Sequence, residues 1–349
     1  MIFHNKKGFR YGYTNKLYLN DKGYNSTSIL GSLKNDKGEI GPVNCGGVSE
    51  EKNLSLLKAF SESIERRALV NGAKNCCGAN HTFAYNLIND SVEKLNTKHT
   101  RLSLTPPFVD TTGTAAHPIS NNAVFNAVSE LIEKNSIFLF WYGKMGRKVN
   151  NIYPCFYSNY LIKQGYKLHH FLIDYFMPFK VIITIALSEK TPLKFKFGIG
   201  SSLDFKSAIH KSLAETYLLG SYYEVLYYNT KNQHYDIEEQ EEIEKFNDKE
   251  ILNYIYKIIN NCNIYNIQNE KSFNIEKLYK NLPIWIKQLL IVNLPQFLRE
   301  DLIVVKAFSP QLLNCIPKKS HIDINVEINK QTLDLKKQDL ANIPDCPII

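Results

Sequence analysis

The chain has 349 residues, enough for one large domain or two modest ones, and its 44% hydrophobic and 22% charged residues fit a globular protein, not a disordered one. Its 42 basic and 34 acidic side chains leave a net charge of +8, which suits a lysine-rich surface or an anionic ligand such as a nucleotide or an acidic peptide. Seven cysteines at irregular spacing without a C-x-x-C pair argue against a disulfide framework and a zinc site, and arginine is not interleaved with aromatics as in a nucleic-acid groove.

In chain order, the first 40 residues are polar and turn-rich, an N-terminal arm or set of short strands expected to pack on a main body at 41–349. Met1 to Arg10 has no apolar core of the kind a secretory signal needs, and the odd, irregularly spaced cysteines make a reducing cytoplasm the expected home. From Val48 to Gly72 the pattern is helical, with Leu54, Leu57, Ile64 and Ala68 as an apolar stripe. A second helix runs from Ser120 into the aromatic run Phe138 to Tyr142. Tyr166 to Leu187 reads as a hairpin turning at Met177-Pro178, and Asp174 and Lys180 rule it out as a membrane span. A third helix is expected from Asp204, its cap, to Leu219, with Gly220 ending it. The acidic stretch near 230–250 reads as a solvated insertion, Ile251 to Leu290 as further helix, Leu302 to Phe308 as a buried strand, and the end as an extended tail.

Three segments share a design: Gly47 to Arg66, Gly113 to Lys134 and Gly200 to Leu218. Each passes from a glycine-bearing loop into a helix with a central glutamate, at Glu62, Glu130 and Glu215. Three and seven residues before each glutamate stand small residues: Ala59 and Ser55, Ala127 and Ala123, Ser212 and Ala208. Positions four apart share a helix face, so each helix carries a small strip that admits another backbone or a ligand. Two helices add a second acid one turn on, Glu65 and Glu133. Carboxylates bordering a packed face need a partner, and oxygen ligands without Cys or His suit Mg²⁺, which usually carries nucleotide phosphates. No Walker A motif is present, so a nucleotide would sit in another kind of cradle.

These segments resemble the YcaO family. Glu62, Glu65 and Arg66 match its S-A-x-x-E-x-x-E-R helix, with Lys58 in the Ser position and Cys45-Gly46-Gly47 where Gly-Lys-Gly is usual. Asp110, Gly113, Ala115, His117, Ala127, Glu130 and Glu133 match the second loop and helix, with Lys134 and Asn135 for Arg and Asp. Glu215 matches the glutamate of E-x-x-Q, with Leu218 for Gln.

The resemblance implies an α/β (α+β) fold of mixed sheets flanked by the glutamate helices around a central ATP pocket. It implies that Glu62, Glu65, Glu130, Glu133 and Glu215 hold Mg²⁺ and position ATP, with Arg66, Lys58 and Lys196 as phosphate candidates. It further implies a cyclodehydratase that turns Cys, Ser or Thr of a ribosomal precursor peptide into an azoline, within a synthetase for a bacteriocin- or toxin-like product. The thioamide- or amidine-forming branches, and a scaffold subunit without ATP turnover, are the other readings. The tail keeps Pro344 and Pro347 of a terminal Pro-rich motif whose end reaches the active site in azoline-forming members, which makes Pro347 and Ile349 candidates. His117 is a loop or catalytic candidate. No fused leader-binding domain is read, so the expected partners are a separate E1-like (ThiF-like) recognition protein, the precursor peptide, a flavin-dependent dehydrogenase, and a second copy or a hetero-complex. Neither nucleic acid nor membrane is expected as a partner.

Overall fold

The computed structural model describes residues 10–13, 23–31, 33–42, 45–76, 80–150, 153–230, 241, 243–265 and 278–347. They pack as two units. The described residues of the first lie within 10–13, 24–135 and 278–335, and those of the second are Gly23 and residues within 136–265 and 336–347.

In the first unit β1 (Arg10–Tyr13), β2 (Tyr24–Ile29) and β3 (Cys45–Ser49) form a three-stranded antiparallel sheet, so strands of the polar N-terminal segment pair directly with the body. Helix α1 (Lys52–Asn71) lies on it. A second sheet takes the order β5-β4-β12-β13-β6, from β4 (His81–Asn86), β5 (Ser91–Asn96), β6 (Thr114–His117), β12 (Leu290–Asn293) and β13 (Ile303–Phe308). Helix α2 (Ser120–Gly143) starts in this unit.

The buried face of α1 is Leu56, Phe60, Ile64 and Ala68 together with Ser55, Ala59 and Ser63. Leu54 and Leu57, expected in the stripe, are 41% and 39% exposed. The reason is β3. Its Gly47 runs so close to α1 that an added Cβ would stand 2.2 Å from the Ser55 carbonyl oxygen and 2.6 Å from the Ala59 nitrogen. The helix therefore turns its small strip toward the strand, and the leucines rotate outward. Phe60 and Ile64 join the core with Ala84, Leu95, Val292 and Val304, each large side chain contributing about 1.5–3 kcal/mol by burial.

The second unit is built on the sheet order β10-β9-β8-β7-β11. Its strands are β7 (Arg147–Val149), β8 (Lys167–Ile173), β9 (Lys180–Leu187), β10 (Phe195–Ser202) and β11 (Ile264–Tyr265). All its pairings are antiparallel except β7 with β11, and the expected hairpin is the β8–β9 pair. Helices α3 (Phe156–Lys163) and α4 (Phe205–Thr230) pack on it.

Asp204 caps α4, its Oδ1 accepting from the Ser207 amide at 2.7 Å. The helix does not stop at Gly220. That glycine is placed for clearance, since a Cβ there would meet the Lys196 Cδ at 2.3 Å. Of the acidic stretch, 231–240 and 242 lie outside the described residues. Beyond them Phe246 is buried against Phe195 and Tyr223, so this end is anchored and not wholly solvated. Among the described residues of the expected 251–290 span, helix occupies Lys249–Asn261, with a single turn at Tyr279–Asn281, and 266–277 lie outside the described residues.

Strand β10 repeats the approach of β3. A Cβ on Gly200 would meet the Ala208 carbonyl oxygen at 2.6 Å and the Ser212 nitrogen at 2.5 Å. Because the intruding atoms are helix backbone, neither site can relax cheaply. We expect Gly47→Ala or Gly200→Ala to cost about 2–3 kcal/mol, read as a lower denaturant midpoint with an unchanged slope; parent-like stability would show that the strands are not held this close.

Candidate active site

In the first unit the closeness of β3 and α1 builds the frame of the site. The Gly46 amide donates to Glu62 Oε2 at 2.7 Å, and Arg66 Nη2 donates to Glu62 Oε1 at 2.6 Å. Lys58 sends its ammonium to the Val48 carbonyl at 2.9 Å, fastening the same strand. One turn on, Glu65 Oε1 accepts the Ala116 amide of β6 at 2.7 Å, tying α1 to the second sheet.

The carboxylates are coupled. Burial pushes Glu62 above its ordinary range, against the pull of the Arg66 charge, the Gly46 amide and Lys134. Glu65 stands well above it, driven first by burial and then by the Glu130 and Glu62 charges, with the Ala116 amide opposing. Glu130 is pushed up to about 8 by burial, against Lys134 and Lys306, with Glu133 and Asp110 pushing further. Lys134, which stands where the family has Arg, thus bears on both Glu62 and Glu130.

Lys306 was not among the candidates. Its side chain is fully buried in β13, and its Nζ donates to the Asp110 and Thr112 carbonyls at 3.0 and 2.7 Å. The signal in the sequence was a lone lysine in the otherwise apolar run Ile303 to Phe308. Asp110 shapes the loop: its Oδ1 accepts the Thr112 amide at 2.8 Å and its Oδ2 the Ile316 amide at 2.7 Å. Gly113 follows with φ +73, where a Cβ would also meet the Ala307 carbonyl at 2.8 Å. The buried Thr112 and Thr114 hydroxyls find no hydrogen-bond partner. His117 Nδ1 accepts the Ile119 amide at 2.9 Å at the entry to α2, a loop-holding position.

In the second unit the Ile199 amide donates to Glu215 Oε2 at 2.7 Å, and Lys211 donates to the Ser201 carbonyl at 3.0 Å. These bonds reproduce those of Glu62 and Lys58. Lys196 is 1% exposed and pairs with Glu224 at 2.7 Å, with its ammonium 4.4 Å above the Tyr166 ring. Its charge is therefore already engaged within this unit. The tail is pinned here too. Trp141 Nε1 donates to the Pro344 carbonyl at 2.8 Å and the Tyr142 hydroxyl to Asp345 Oδ1 at 3.0 Å. Pro347 borders a small cavity with Lys196, Gly220 and Tyr223, and Ile349 lies outside the described residues.

Among the described residues no three Cys, His, Asp or Glu side chains converge as a ready metal cage. Mg²⁺ seldom uses one, taking one or two carboxylates and completing its shell with water and phosphate oxygens. The coupled glutamates and the orphan Thr112 and Thr114 hydroxyls fit such a cation with a phosphate-bearing ligand, since both would relieve groups that burial leaves under-served.

Residues 95–258 match the sequence model of a family described as YcaO cyclodehydratase, ATP- and Mg²⁺-binding. Over that stretch the chain is similar to the YcaO family. Solved YcaO structures share its fold. A YcaO from Methanopyrus kandleri, bound with AMPPCP and Mg²⁺, is 12% identical with a TM-score of 0.67, over 90% of this chain and 88% of that one. The E. coli microcin synthetase McbBCD complex with pro-MccB17 bound gives 14% identity and a TM-score of 0.72, over 97% and 96%. A heterocyclase in complex with substrate and cofactor gives 13% and 0.71, over 97% of this chain and 54% of that one. No curated protein sequence matches significantly. The mixed α/β fold expected for a YcaO protein is the one found. No helix among the described residues is long and apolar enough to cross a membrane.

A carboxyl raised by folding binds more protons folded than unfolded. Its stabilising contribution is complete below its ordinary value of 4.5 and is lost as pH rises through about 8 for Glu130. The ligand-free chain should therefore lose thermal stability between these values. Glu130→Gln should flatten that slope and raise Tm at the alkaline end. A slope unchanged by the substitution in scanning calorimetry would remove Glu130 as its source.

Proposed function

We propose that this chain is a YcaO-type, Mg²⁺- and ATP-dependent cyclodehydratase that converts Cys, Ser or Thr of a ribosomal precursor peptide into thiazoline or oxazoline. The observation that carries the reading is the set of mutually coupled, desolvated carboxylates Glu62, Glu65 and Glu130, beside the buried Lys306. Such a set is costly to bury without a cation to neutralise it.

In this reading Glu62 and Glu130 would hold Mg²⁺, with Glu65 and Glu133 as further ligands and Glu215 of the second unit as a separate metal candidate, and Arg66 would be a phosphate-binding cation. ATP supplies the phosphoryl group that makes the amide oxygen of the peptide a leaving group. The peptide's own thiol or hydroxyl attacks the preceding carbonyl carbon, the oxygen departs as phosphate, and the peptide loses one water. Fixed charge set around the transferring group stabilises it as it develops. Lys58 and His117 hold the β3–α1 and β6–α2 loops in register, a positioning duty.

Pro347 would be a catalytic candidate in the tail, with Trp141 and Tyr142 securing Pro344 and Asp345 before it, and Ile349 stays a candidate by its place in the motif. The likeness to a microcin synthetase complex supports work within an assembly. There a separate E1-like protein would read the leader peptide, a flavin-dependent dehydrogenase would oxidise the azolines, and a second copy of this chain could complete the complex in the cytoplasm. The departures at Gly46, Lys58, Lys134 and Leu218 favour the scaffold reading, whereas the five carboxylates retained on the three helices favour turnover.

The test is calorimetric binding of ATP with and without Mg²⁺, followed by mass spectrometry of the peptide with the partner protein present. Metal-dependent binding should vanish in Glu62→Gln/Glu130→Gln, and wild-type protein should give peptide lighter by one water per ring. Parent-like turnover in that double variant would sink the proposed metal site, and replacement of oxygen by sulfur would move the protein to the thioamide branch.

A further inference from the structure

The first unit carries a second feature that the glutamate site does not use. Strand β5 is an edge of its sheet, paired only with β4 among the described residues. The burial of β4 alternates strictly: Thr82, Ala84 and Asn86 face inward and His81, Phe83 and Tyr85 outward. Opposite partners in an antiparallel ladder share a face. Tyr85 with Val92, Phe83 with Lys94, and His81 with Asn96 therefore form three outward rungs. Phe83, Tyr85 and Val92 are 54%, 44% and 66% exposed.

At the last rung the ladder runs into a cavity of about 340 Å³ whose wall includes Asn80, Asn96, Lys98, Lys37, Arg101 and Asp36. Three of these side chains are cationic and one is acidic. Arg101 is held there by Asp36 and by its Nε donating to the Asn71 carbonyl at 3.0 Å. Lys98 and Lys94 form no ion pair among the described residues. The one acid of β5, Glu93, is taken from the edge by Asn86 and Gln288, each donating to it at 2.5 Å or close to it. The edge is thus apolar, then basic, and it ends in a basic cavity.

An open edge offers a row of unpaired backbone groups to any extended chain. A lysine on it discourages a second, like-charged copy and favours an acidic strand, because opposite charges placed side by side stabilise and like charges destabilise. We propose that β5 and the cavity at its end form a docking site for an extended acidic polypeptide segment, which adds as a further strand beside β5 and sets its carboxylates against Lys98, Lys37 and Arg101. Main-chain bonds would give affinity, and the apolar rungs and terminal cations would give specificity. The site is independent of the glutamates and of the reaction proposed for them.

The probe is a fluorescein-labelled peptide of alternating Val and Thr with three Asp at both ends, so that either strand direction brings carboxylates to the cavity. Controls are the same peptide with Lys for Asp, and the Asp peptide with alternate amides N-methylated. Fluorescence anisotropy with the full chain should show the Asp peptide binding at least about tenfold tighter than the Lys peptide. Lys98→Glu should weaken it by about tenfold at an unchanged Tm, Phe83→Ser should weaken it in both low and high salt, and N-methylation should abolish it. Equal affinity for the Asp and Lys peptides, or binding unaltered in Lys98→Glu, would overturn the proposal. Undiminished binding of the N-methylated peptide would overturn its strand-addition geometry.

Discussion

The nearness of a glycine strand to a helix backbone sets the geometry from which the site follows. Gly47 lies against the Ser55 carbonyl and the Ala59 nitrogen with no room for a methyl group. Only at that separation can the Gly46 amide reach Glu62, and Lys58 reach back to Val48. The helix is rotated to suit, which carries Glu65 to the β6 amide of Ala116 and sinks it among other carboxylates. A steric constraint therefore produces the electrostatics: clearance fixes rotation, rotation fixes burial, and burial raises the glutamates.

The charge left by that burial is only partly compensated from within. Arg66, Lys134 and Lys306 each favour the ionised form of one or more of the glutamates, yet burial still dominates at Glu62, Glu65 and Glu130. Lys306 meets the same penalty with opposite sign, buried completely and answered by two carbonyl oxygens. A cluster in this state is poised to accept further positive charge, because proton uptake or cation binding relieves the same repulsion.

Much of this was legible in the sequence, and what was not has identifiable causes. The glycine, the small residues three and seven before each glutamate, and the second acids could be read directly, because close approach and carboxylate clustering demand those residue types. The strip's occupant could not be read, since small residues admit a ligand or a strand equally well, and here β3 and β10 take the place. Leu54 and Leu57 misled because periodicity marks an apolar arc but not which part of it a neighbour covers. Gly220 was read as a helix stop although its clearance serves Lys196, 24 residues away. Lys306 went unnoticed because a buried lysine is justified only by carbonyls that the fold brings from Asp110 and Thr112.

The second module repeats two bonds of the first and its close glycine at a constant spacing: Gly200 stands for Gly47, Lys211 for Lys58, and Glu215 for Glu62. Where the first continues with Glu65 and Arg66, the second has Leu218 and Leu219. The frame is defined by absent atoms and by backbone bonds, so it constrains few letters of the sequence and leaves neighbouring positions open to drift. A fold specified this way can outlast nearly all of its spelling, as it does here at 12–14% identity with TM-scores from 0.67 to 0.72.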